Sequence, residues 1–399
     1  MSKGIGRLIS VGVAIETTRG TAISSANHWL PFSDATLDEK FSNVTQDEAY
    51  GIIEDSVGQF RIKNWSEGTL KVPLTDLSAP LLFKAILGAN ADTTHSGETT
   101  VYDHKATVGE SAQHPSLTFF IHDTLSGVDY SYALGVIHKM DLDVELKKFA
   151  ELSLSVKALK GVAQSTFSPS IVNENRFLPQ YMTFASAPSV AGANGTLTAT
   201  GTCSSTTAVT SLSINTNLLK IGMTVTGTNI PAGTTVAAIV SSTAFTLSAA
   251  STGSATSYTF GGAVVQLKSF KLSIDENVED DEVLGNVAPV DFLNKEFKVS
   301  GSLEAIWQNE SDFKTQALAT PNVAMAAVIT LKNTDVSIGV VPSHPTVAIT
   351  LDQIYVTEIG RPIKVKDLVY QSVKFSCAYS LTNSEMLAIT TTNTAATSA

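Results

Sequence analysis

Two separate stretches of this 399-residue sequence follow the same order of alternating strand, acidic segment and glycine. The first starts at residue 32 (FSDATLDEKFSNVTQDEAYG) and the second at residue 267 (LKSFKLSIDENVEDDEVLG). Matching apolar residues open the two strands, with Phe32, Ala35 and Leu37 in one and Leu267, Phe270 and Leu272 in the other. Each acidic segment closes on Asp-Glu, two further residues and Gly: Asp47, Glu48 and Gly51, then Asp281, Glu282 and Gly285. An ordered repetition of this kind predicts two homologous lobes.

The resemblance continues downstream of both stretches. The run GTLKVPLTDLSAPLLFKAILG and the run EFKVSGSLEAIWQNESDFKTQALA each place a strand before a short helix, which aligns Lys71 and Val72 with Lys298 and Val299. Later, ELSLSVKAL matches SVKFSCAYS, and both show the period of two that is typical of a strand with one buried face. Any all-β protein contains such strands, but their collinear order favours duplication.

A nearly uncharged block separates the two copies. Between Phe177 and Leu267 the only formally charged residue is Lys220. Short runs rich in Thr and Val are punctuated there by Gly, Pro and Asn, which is typical of a small all-β module with tight turns. The sequence therefore predicts an all-β chain with short flanking helices: a first lobe at residues 1–187, an inserted and outward-facing β-module at 188–262, and a second lobe at 263–399.

Composition and charge exclude several classes of function. The chain has 37 acidic and 26 basic residues, and neither flank contains a basic block that could neutralise nucleic-acid phosphates. Its two cysteines show no disulfide or metal-binding spacing. The N-terminal run MSKGIGRLISVGVAIETTRG is interpreted as a strand rather than a signal peptide. No apolar run is as long as the ~18 residues that a membrane-spanning helix needs.

The sequence contains no recognisable catalytic motif, and we expect no enzymatic activity, metal or cofactor. His104, His114 and His122 are close in sequence, but their spacing fits no ligand pattern, so roles in turns and at strand ends are favoured. Asp141, Asp143 and Glu145 are expected on one face of a strand. They could bind a hard cation, although an acidic stripe facing solvent or a channel is the preferred interpretation.

The sequence is similar to the major tail tube proteins of long-tailed (siphovirus-type) bacteriophages. The similarity lies in SVGVAIETTRGTA, in FRIKNWSEGTLKVPL, and in SFKLSIDENVEDDEVLG with the FKVSGSLEAIWQNESDFKTQAL that follows. It implies sandwich-like or barrel-like lobes with a flanking helix, assembled into rings that stack as a hollow tube for viral DNA. Because family members usually supply one lobe to a six-lobed ring, two lobes in one chain predict a trimeric ring with pseudo-sixfold symmetry.

This resemblance also assigns candidate sites and partners. The long acidic segments Asp38 to Phe60 and Asp275 to Lys295 are expected to contact the adjacent ring, with Asp47, Glu48, Gly51, Asp281, Glu282 and Gly285 as candidate residues. Asp141, Asp143 and Glu145 are candidates for an acidic channel wall that repels DNA. The expected partners are further copies of the chain, other tail proteins and DNA that passes without specific binding, but no membrane. The expected location is the virion, after synthesis in the host cytoplasm.

The main alternative is an adhesin of immunoglobulin-like modules, with a receptor-binding insert. Exposed aromatic residues in the insert would favour it. The aromatic residues found there are Phe245, Tyr258 and Phe260, and each falls in an alternating run that predicts burial.

Overall fold

The computed structural model describes residues 6–398 except 52, 54–55, 125–126, 165, 189–196, 215, 217–218, 220–222, 261–262, 307–312, 319, 321–323, 341–342, 364–367 and 382. Lys220, the lone charge of the neutral block, lies outside the described residues. The described part is mostly β-structure, which confirms the predicted all-β class. No helix in it is long and apolar enough to cross a membrane.

Among the described residues of the first flank there are eleven strands and one helix, α1 (Ala79–Leu87). The strands are β1 (Ile9–Ile15), β2 (His28–Leu30), β3 (Asp34–Ala35), β4 (Asp38–Gln46), β5 (Gly58–Pro73), β6 (Gly88–Thr94), β7 (Tyr102–Val108), β8 (Leu117–Asp123), β9 (Asp129–Glu145), β10 (Glu151–Ala158) and β11 (Val162–Gln164). Single 3₁₀ turns occur at Gly6–Leu8 and Pro179–Tyr181.

The rest of the chain begins with β12 (Met182–Pro188) and contains the short helix α2 (Lys314–Ala317). The neutral block forms β13 (Leu197–Ser204), β14 (Ala208–Val209), β15 (Val225–Thr226), β16 (Val236–Ser241), β17 (Ala244–Leu247) and β18 (Ser254–Phe260). The second flank forms β19 (Ala263–Val265), β20 (Leu267–Asp275), β21 (Val278–Asp281), β22 (Asp291–Asn294), β23 (Lys298–Ile306), β24 (Met325–Lys332), β25 (Thr346–Gly360), β26 (Tyr370–Ala378) and β27 (Leu387–Asn393).

The first flank folds as a sandwich of two sheets that share the long strand β9. The beginning of β9 pairs with β8, which pairs with β1 and through it with β2. The remainder of β9 pairs with β10, followed by β5 and then by β3 and β4. Two β-bulges allow the strand to pass from one sheet to the other, one beside Leu134 and one at His138. We call this unit the first lobe.

The second flank repeats this arrangement strand by strand. Here β25 takes the place of β9: it pairs first with β24, then β12 and β19, and further along with β26, then β23 and β20. Its two register shifts, beside Gln353 and at Thr357, fall at the positions equivalent to those of β9. Since β12 pairs with β24 and β19, we propose that the second lobe begins at this strand, before the predicted boundary at residue 187.

Two glycines confirm how the lobes align. Gly68 and Gly301 both lie where a neighbouring strand leaves no room for a side chain. A Cβ on Gly68 would lie 1.9 Å from the Thr36 carbonyl oxygen, and one on Gly301 would lie 2.8 Å from the Lys271 carbonyl oxygen. The pairing places Thr36 and Lys271 at equivalent positions. It aligns Ala35 with Phe270, as the sequence predicted. It also aligns Leu70 with Leu303, so Lys71 is equivalent to Glu304 and not to Lys298.

Antiparallel pairing of β9 with β20 joins the two lobes into one continuous sheet. The strand order across the junction is β4-β5-β10-β9-β20-β23-β26-β25. One face of this sheet covers a hydrophobic core that continues from lobe to lobe, with Leu142 and Leu272 in register at the junction. A second connection runs through β27, which pairs with β7 of the first lobe.

The neutral block has its own hydrophobic core. Phe245, Tyr258 and Phe260 are fully buried there and pack ring against ring at centroid distances between 5.3 and 6.4 Å. The predicted burial of these three aromatic residues is therefore confirmed. A separate core is what an independently folding inserted module requires.

Candidate assembly surfaces

The continuous sheet has a polar face opposite its core. Alternation along each strand sends Leu142 into the core and its neighbours Asp141 and Asp143 to the polar face, together with Glu145. The predicted carboxylate stripe thus exists, and it lies on β9 beside the junction with β20.

Lysine side chains partly neutralise this stripe. Lys271 of β20 reaches across the junction to Asp143 at 2.7 Å and to Glu145 at 3.6 Å. Its hydrogen bond to Asp143 raises the pKa of Lys271 above its usual value. Lys148, 2.7 Å from Glu145, lowers the pKa of that carboxyl. Exposed ion pairs of this kind contribute little to stability, so the stripe is mainly a feature of surface charge.

Across the regularly paired part of the sheet, acidic residues outnumber basic residues on the polar face. The acidic residues are Asp34, Asp38, Glu67, Asp141, Asp143, Glu145, Glu151, Asp275, Glu304 and Glu358. The basic residues are Lys40, Lys63, Lys71, Lys139, Lys157, Lys271, Lys298 and Lys374.

The hairpin of β21 and β22 folds onto the first lobe. Phe292 is fully buried against Leu134 and Val136 of β9. Arg19 lies 2.7 Å from Asp291 at the base of the loop. Below them, Glu276 is buried with one carboxylate oxygen 2.6 Å from His114 Nδ1. In each contact one residue comes from the first lobe and the other from the second, so the contacts hold the two lobes together.

Residues 280–287 are tied to the same lobe by ionic contacts. Asp280 accepts hydrogen bonds from Lys63 at 2.6 Å and Lys157 at 2.8 Å. Burial alone would raise the pKa of Asp280, but these two lysines outweigh it and lower the pKa. Lys63 also contacts Glu282, and the amide of Asn64 donates to the Val287 carbonyl at 2.9 Å.

The six candidate loop residues therefore occupy two different environments. Asp281, Glu282 and Gly285 lie in a loop that the first lobe of the same chain already contacts. Asp47, Glu48 and Gly51 lie in the equivalent loop of the first lobe, between β4 and β5, where all three are exposed. This hairpin of β4 and β5 also exposes large apolar side chains: Phe41, Val44, Tyr50, Val57, Phe60 and Ile62.

The two ends of the continuous sheet are open edges. In the part of the chain that the structure describes, β3 and β4 pair only with β5, whereas their counterpart β20 also pairs with β9. Likewise, the last residues of β25 pair only with β26, whereas the equivalent part of β9 also pairs with β20. Sequence reasoning predicts that the lobes have unpaired edges, but it did not identify which strands form them. An unpaired edge exposes backbone hydrogen-bonding groups to further strand addition.

The histidines noted in the sequence do not converge. His104 lies 2.6 Å from Asp92, and His122 lies 2.8 Å from Asp129, while His114 contacts Glu276. Among the described residues, no group of three or more His, Cys, Asp or Glu side chains is placed to hold a metal ion.

Comparison with known proteins identifies the family of the chain. No curated protein sequence gave a significant match to the chain. A family model described as phage tail tube protein matches residues 6–377, which is nearly the whole chain. The chain therefore belongs to the phage tail tube protein family.

Proposed function

We propose that three copies of this chain close into a ring of six lobes, and that such rings stack head to tail into the tail tube through which DNA leaves the virion. Membership of the family makes the chain a structural protein of the phage tail. The trimeric ring, the stacking and the passage of DNA are the parts that we propose.

The observation that supports the ring is the pairing of β9 with β20 inside one chain. This pairing joins two equivalent lobes. At the free ends of the sheet, β25 is the equivalent of β9, and β3 with β4 is the equivalent of β20. Repeating the junction between chains places the end of β25 from one protomer against β3 and β4 of the next. A head-to-tail contact closes into a ring when the rotation that it imposes divides the circle.

The register of this contact follows from the internal junction. Lys139 and Asp275 are register partners, and their equivalents at the open edges are Glu358 and Lys40. Both sets of positions therefore combine opposite charges, but the base is on β9 at the internal junction and on β4 at the open edge. Asp141 and Ser273 are also register partners, and their equivalents are Gly360 and Asp38.

The polar face of the sheet is proposed to line the channel. The other face is covered by the second sheet of each lobe and by α1, which is almost entirely buried. The polar face is therefore the exposed face of the sheet. An excess of carboxylates there repels a DNA duplex and limits the phosphate contacts that would slow its passage. Asp141, Asp143 and Glu145 are proposed to lie on this wall.

The two acidic loops are proposed to act at different interfaces. Because Asp281, Glu282 and Gly285 already lie beside the first lobe of their own chain, the equivalent hairpin of β4 and β5 should pack on the second lobe of the next protomer. Its loop, with Asp47, Glu48 and Gly51, is proposed to continue to the adjacent ring. The inserted module has no exposed aromatic site among its three aromatic residues, which removes the main support for an adhesin.

Cysteine cross-linking across the proposed junction tests the ring. The variant Asp38→Cys/Gly360→Cys should form disulfides between chains, and the ladder on a non-reducing gel should stop at three chains. Gly360 has space for the side chain, since the nearest atom to an added Cβ is 3.9 Å away. The native cysteines should not interfere, because Cys203 is buried and burial raises the pKa of Cys377 to about 12.

The internal junction provides a matched control. Asp141→Cys/Ser273→Cys places a disulfide at the equivalent position within one chain, so it should yield only monomers of altered mobility. If the control pair is oxidised while the Asp38/Gly360 pair is not, under conditions in which electron microscopy shows rings, the proposed junction is wrong. Cross-linked species larger than three chains would instead rule out the trimeric ring.

A further inference from the structure

The first lobe contains an open apolar cleft of about 770 Å³ between its two sheets. Ile9 and Val11 of β1, Leu30 of β2, and the following Phe32 line one side of the cleft. Leu37, which lies between β3 and the unpaired edge of β4, is also part of the lining. Apolar surface that remains open to water in this way favours a partner that covers it.

The second lobe has the same cleft in a smaller form, about 240 Å³. Its lining includes Met182, Phe184, Val265 and Leu267. Strand pairing makes these four residues the equivalents of Ile9, Val11, Leu30 and Phe32 in the first lobe. The two clefts are thus built from the same positions of the repeated fold.

Part of the wall of the second cleft comes from the first lobe. Val144, near the end of β9, and Leu146, directly after this strand, contribute to the lining. Val144 is 3% exposed and lies in register with Phe270 of β20. The internal junction therefore joins two sheet edges and also inserts the end of one strand into the cleft of the neighbouring lobe.

The counterpart of Val144 in the second lobe is Ile363, three residues beyond the end of β25. Ile363 is 69% exposed. Pro362, directly before it, favours an extended conformation of the residue that precedes the proline, as a continuing strand requires. An exposed isoleucine and an open apolar cleft are thus left over at opposite ends of the chain.

We propose that the cleft of the first lobe receives Ile363 from a second copy of this chain, as the cleft of the second lobe receives Val144. The proposal rests on the proposed ring and adds the contact that anchors it. Its chemistry is the burial of one branched aliphatic side chain at each junction, beside the backbone pairing of β25 with β3 and β4. Anchoring side chains of this kind usually dominate the affinity of an interface.

Substitution at Ile363 tests the anchor without disturbing the core, since the side chain is exposed in the single chain. Ile363→Asp should weaken the ring at least tenfold in apparent dissociation constant, measured by sedimentation or mass photometry, while its circular dichroism and thermal midpoint stay those of wild type. Ile363→Val should remain within about threefold of wild type, because it still fills the cleft. Leu381→Asp, at a site that is 89% exposed in the same lobe, is the matched control and should leave assembly unchanged.

A second measurement identifies the contact directly. Ala35 is the equivalent of Phe270, the register partner of Val144, so Ala35→Cys/Ile363→Cys should cross-link chains into trimers. Two results together would overturn the anchor: normal ring formation by Ile363→Asp, and no cross-link in Ala35→Cys/Ile363→Cys. The Asp38→Cys/Gly360→Cys cross-link would in that case still support the ring. A wild-type protein that never forms rings, at any concentration, would overturn the proposed function and the anchor with it.

Discussion

Lys139 on β9 lies opposite Asp275 on β20, and the same two positions of the repeat carry Glu358 and Lys40 at the open edges of the sheet. Each set of two positions combines a base with an acid, but the base comes first in Lys139 and Asp275 and second in Glu358 and Lys40. Opposite charges directly across two strands stabilise the pairing, and like charges destabilise it. Assembly should therefore respond to the sign of these residues.

Charge reversal at one open edge is expected to be compensated by charge reversal at the other. Lys40→Glu and Glu358→Lys should each weaken the ring, because each places like charges opposite one another at about 0.2–1 kcal/mol per junction. The double variant should recover most of the loss, measured as the dissociation constant by sedimentation. A double variant as weak as the sum of the single variants would argue that these residues do not meet.

Lys139→Glu is the internal control for that experiment. It places like charges opposite each other within one chain, so it should lower the free energy of unfolding of the single chain. Its effect on ring dissociation should be smaller than that of Lys40→Glu. Urea unfolding at a concentration where the protein is monomeric measures the first quantity.

Asp280 should stabilise the contact between the lobes in a pH-dependent way. It accepts hydrogen bonds from Lys63 and Lys157, and its pKa is lower in the folded chain than the usual value of 3.8. A lowered carboxyl pKa gives stability that is present above the unfolded pKa and is lost as pH falls through the folded pKa. Asp280→Asn should lower the free energy of unfolding by about 1–3 kcal/mol at pH 7 and by progressively less below pH 4, measured by urea unfolding at each pH.

The neighbouring acid provides a control for the Asp280 experiment. Glu282 contacts the same lysine, but its side chain is 58% exposed. Glu282→Gln should therefore change the free energy of unfolding by no more than about 1 kcal/mol. Equal losses from the two variants would contradict the role given to Asp280.

The buried His114–Glu276 pair should show the opposite pH dependence. Burial alone would lower the pKa of His114, but its hydrogen bond to Glu276 raises the pKa above 6.5. A raised histidine pKa gives stability that is fully present below the unfolded pKa and is lost as pH rises through the folded value. The gap in unfolding free energy between wild type and Glu276→Gln should thus narrow from pH 6 to pH 9. NMR titration should show a lower His114 pKa in Glu276→Gln than in wild type, because the carboxylate that stabilises the charged imidazole is gone while burial remains.

The inserted module should be removable. Ser186 of β12 and Ala263 of β19 are register partners, so the two strands that carry the module already lie side by side. Replacing residues 189–262 with a short Asn-Gly turn should leave a folded two-lobe chain that still forms rings. Negative-stain images should show a smaller outer diameter and an unchanged channel. A truncated chain that is unfolded by circular dichroism would contradict the module's independence.

The sequence predicted the repeat but not its full register. Alignment of Phe32, Ala35 and Leu37 with Leu267, Phe270 and Leu272 agrees with the strand pairing. The match of Lys71 with Lys298 is wrong, since Leu70 aligns with Leu303. Side chains alternate between the two faces with a period of two. A misalignment by an even number of residues therefore keeps each side chain on its own face and leaves the hydrophobic pattern nearly intact. The strand pairing fixes the alignment, and the close contacts of Gly68 and Gly301 support it.

The candidate sites were predictable to a different extent. Alternation placed Asp141, Asp143 and Glu145 on one face, as the structure has them. It could not show that Lys271 lies beside them, because that contact joins strands that are far apart in sequence. The open edges at Lys40 and Glu358, and the cleft beside Leu37, depend on which strands lack a neighbour, and a single sequence does not reveal strand pairing.

Cryo-electron microscopy of the assembled tube is the decisive experiment for the proposed ring. We expect three chains and six lobes in each ring, with β25 of one protomer paired to β3 and β4 of the next so that Glu358 lies opposite Lys40. Six chains in each ring, or neighbouring protomers whose sheets do not continue into one another, would contradict it.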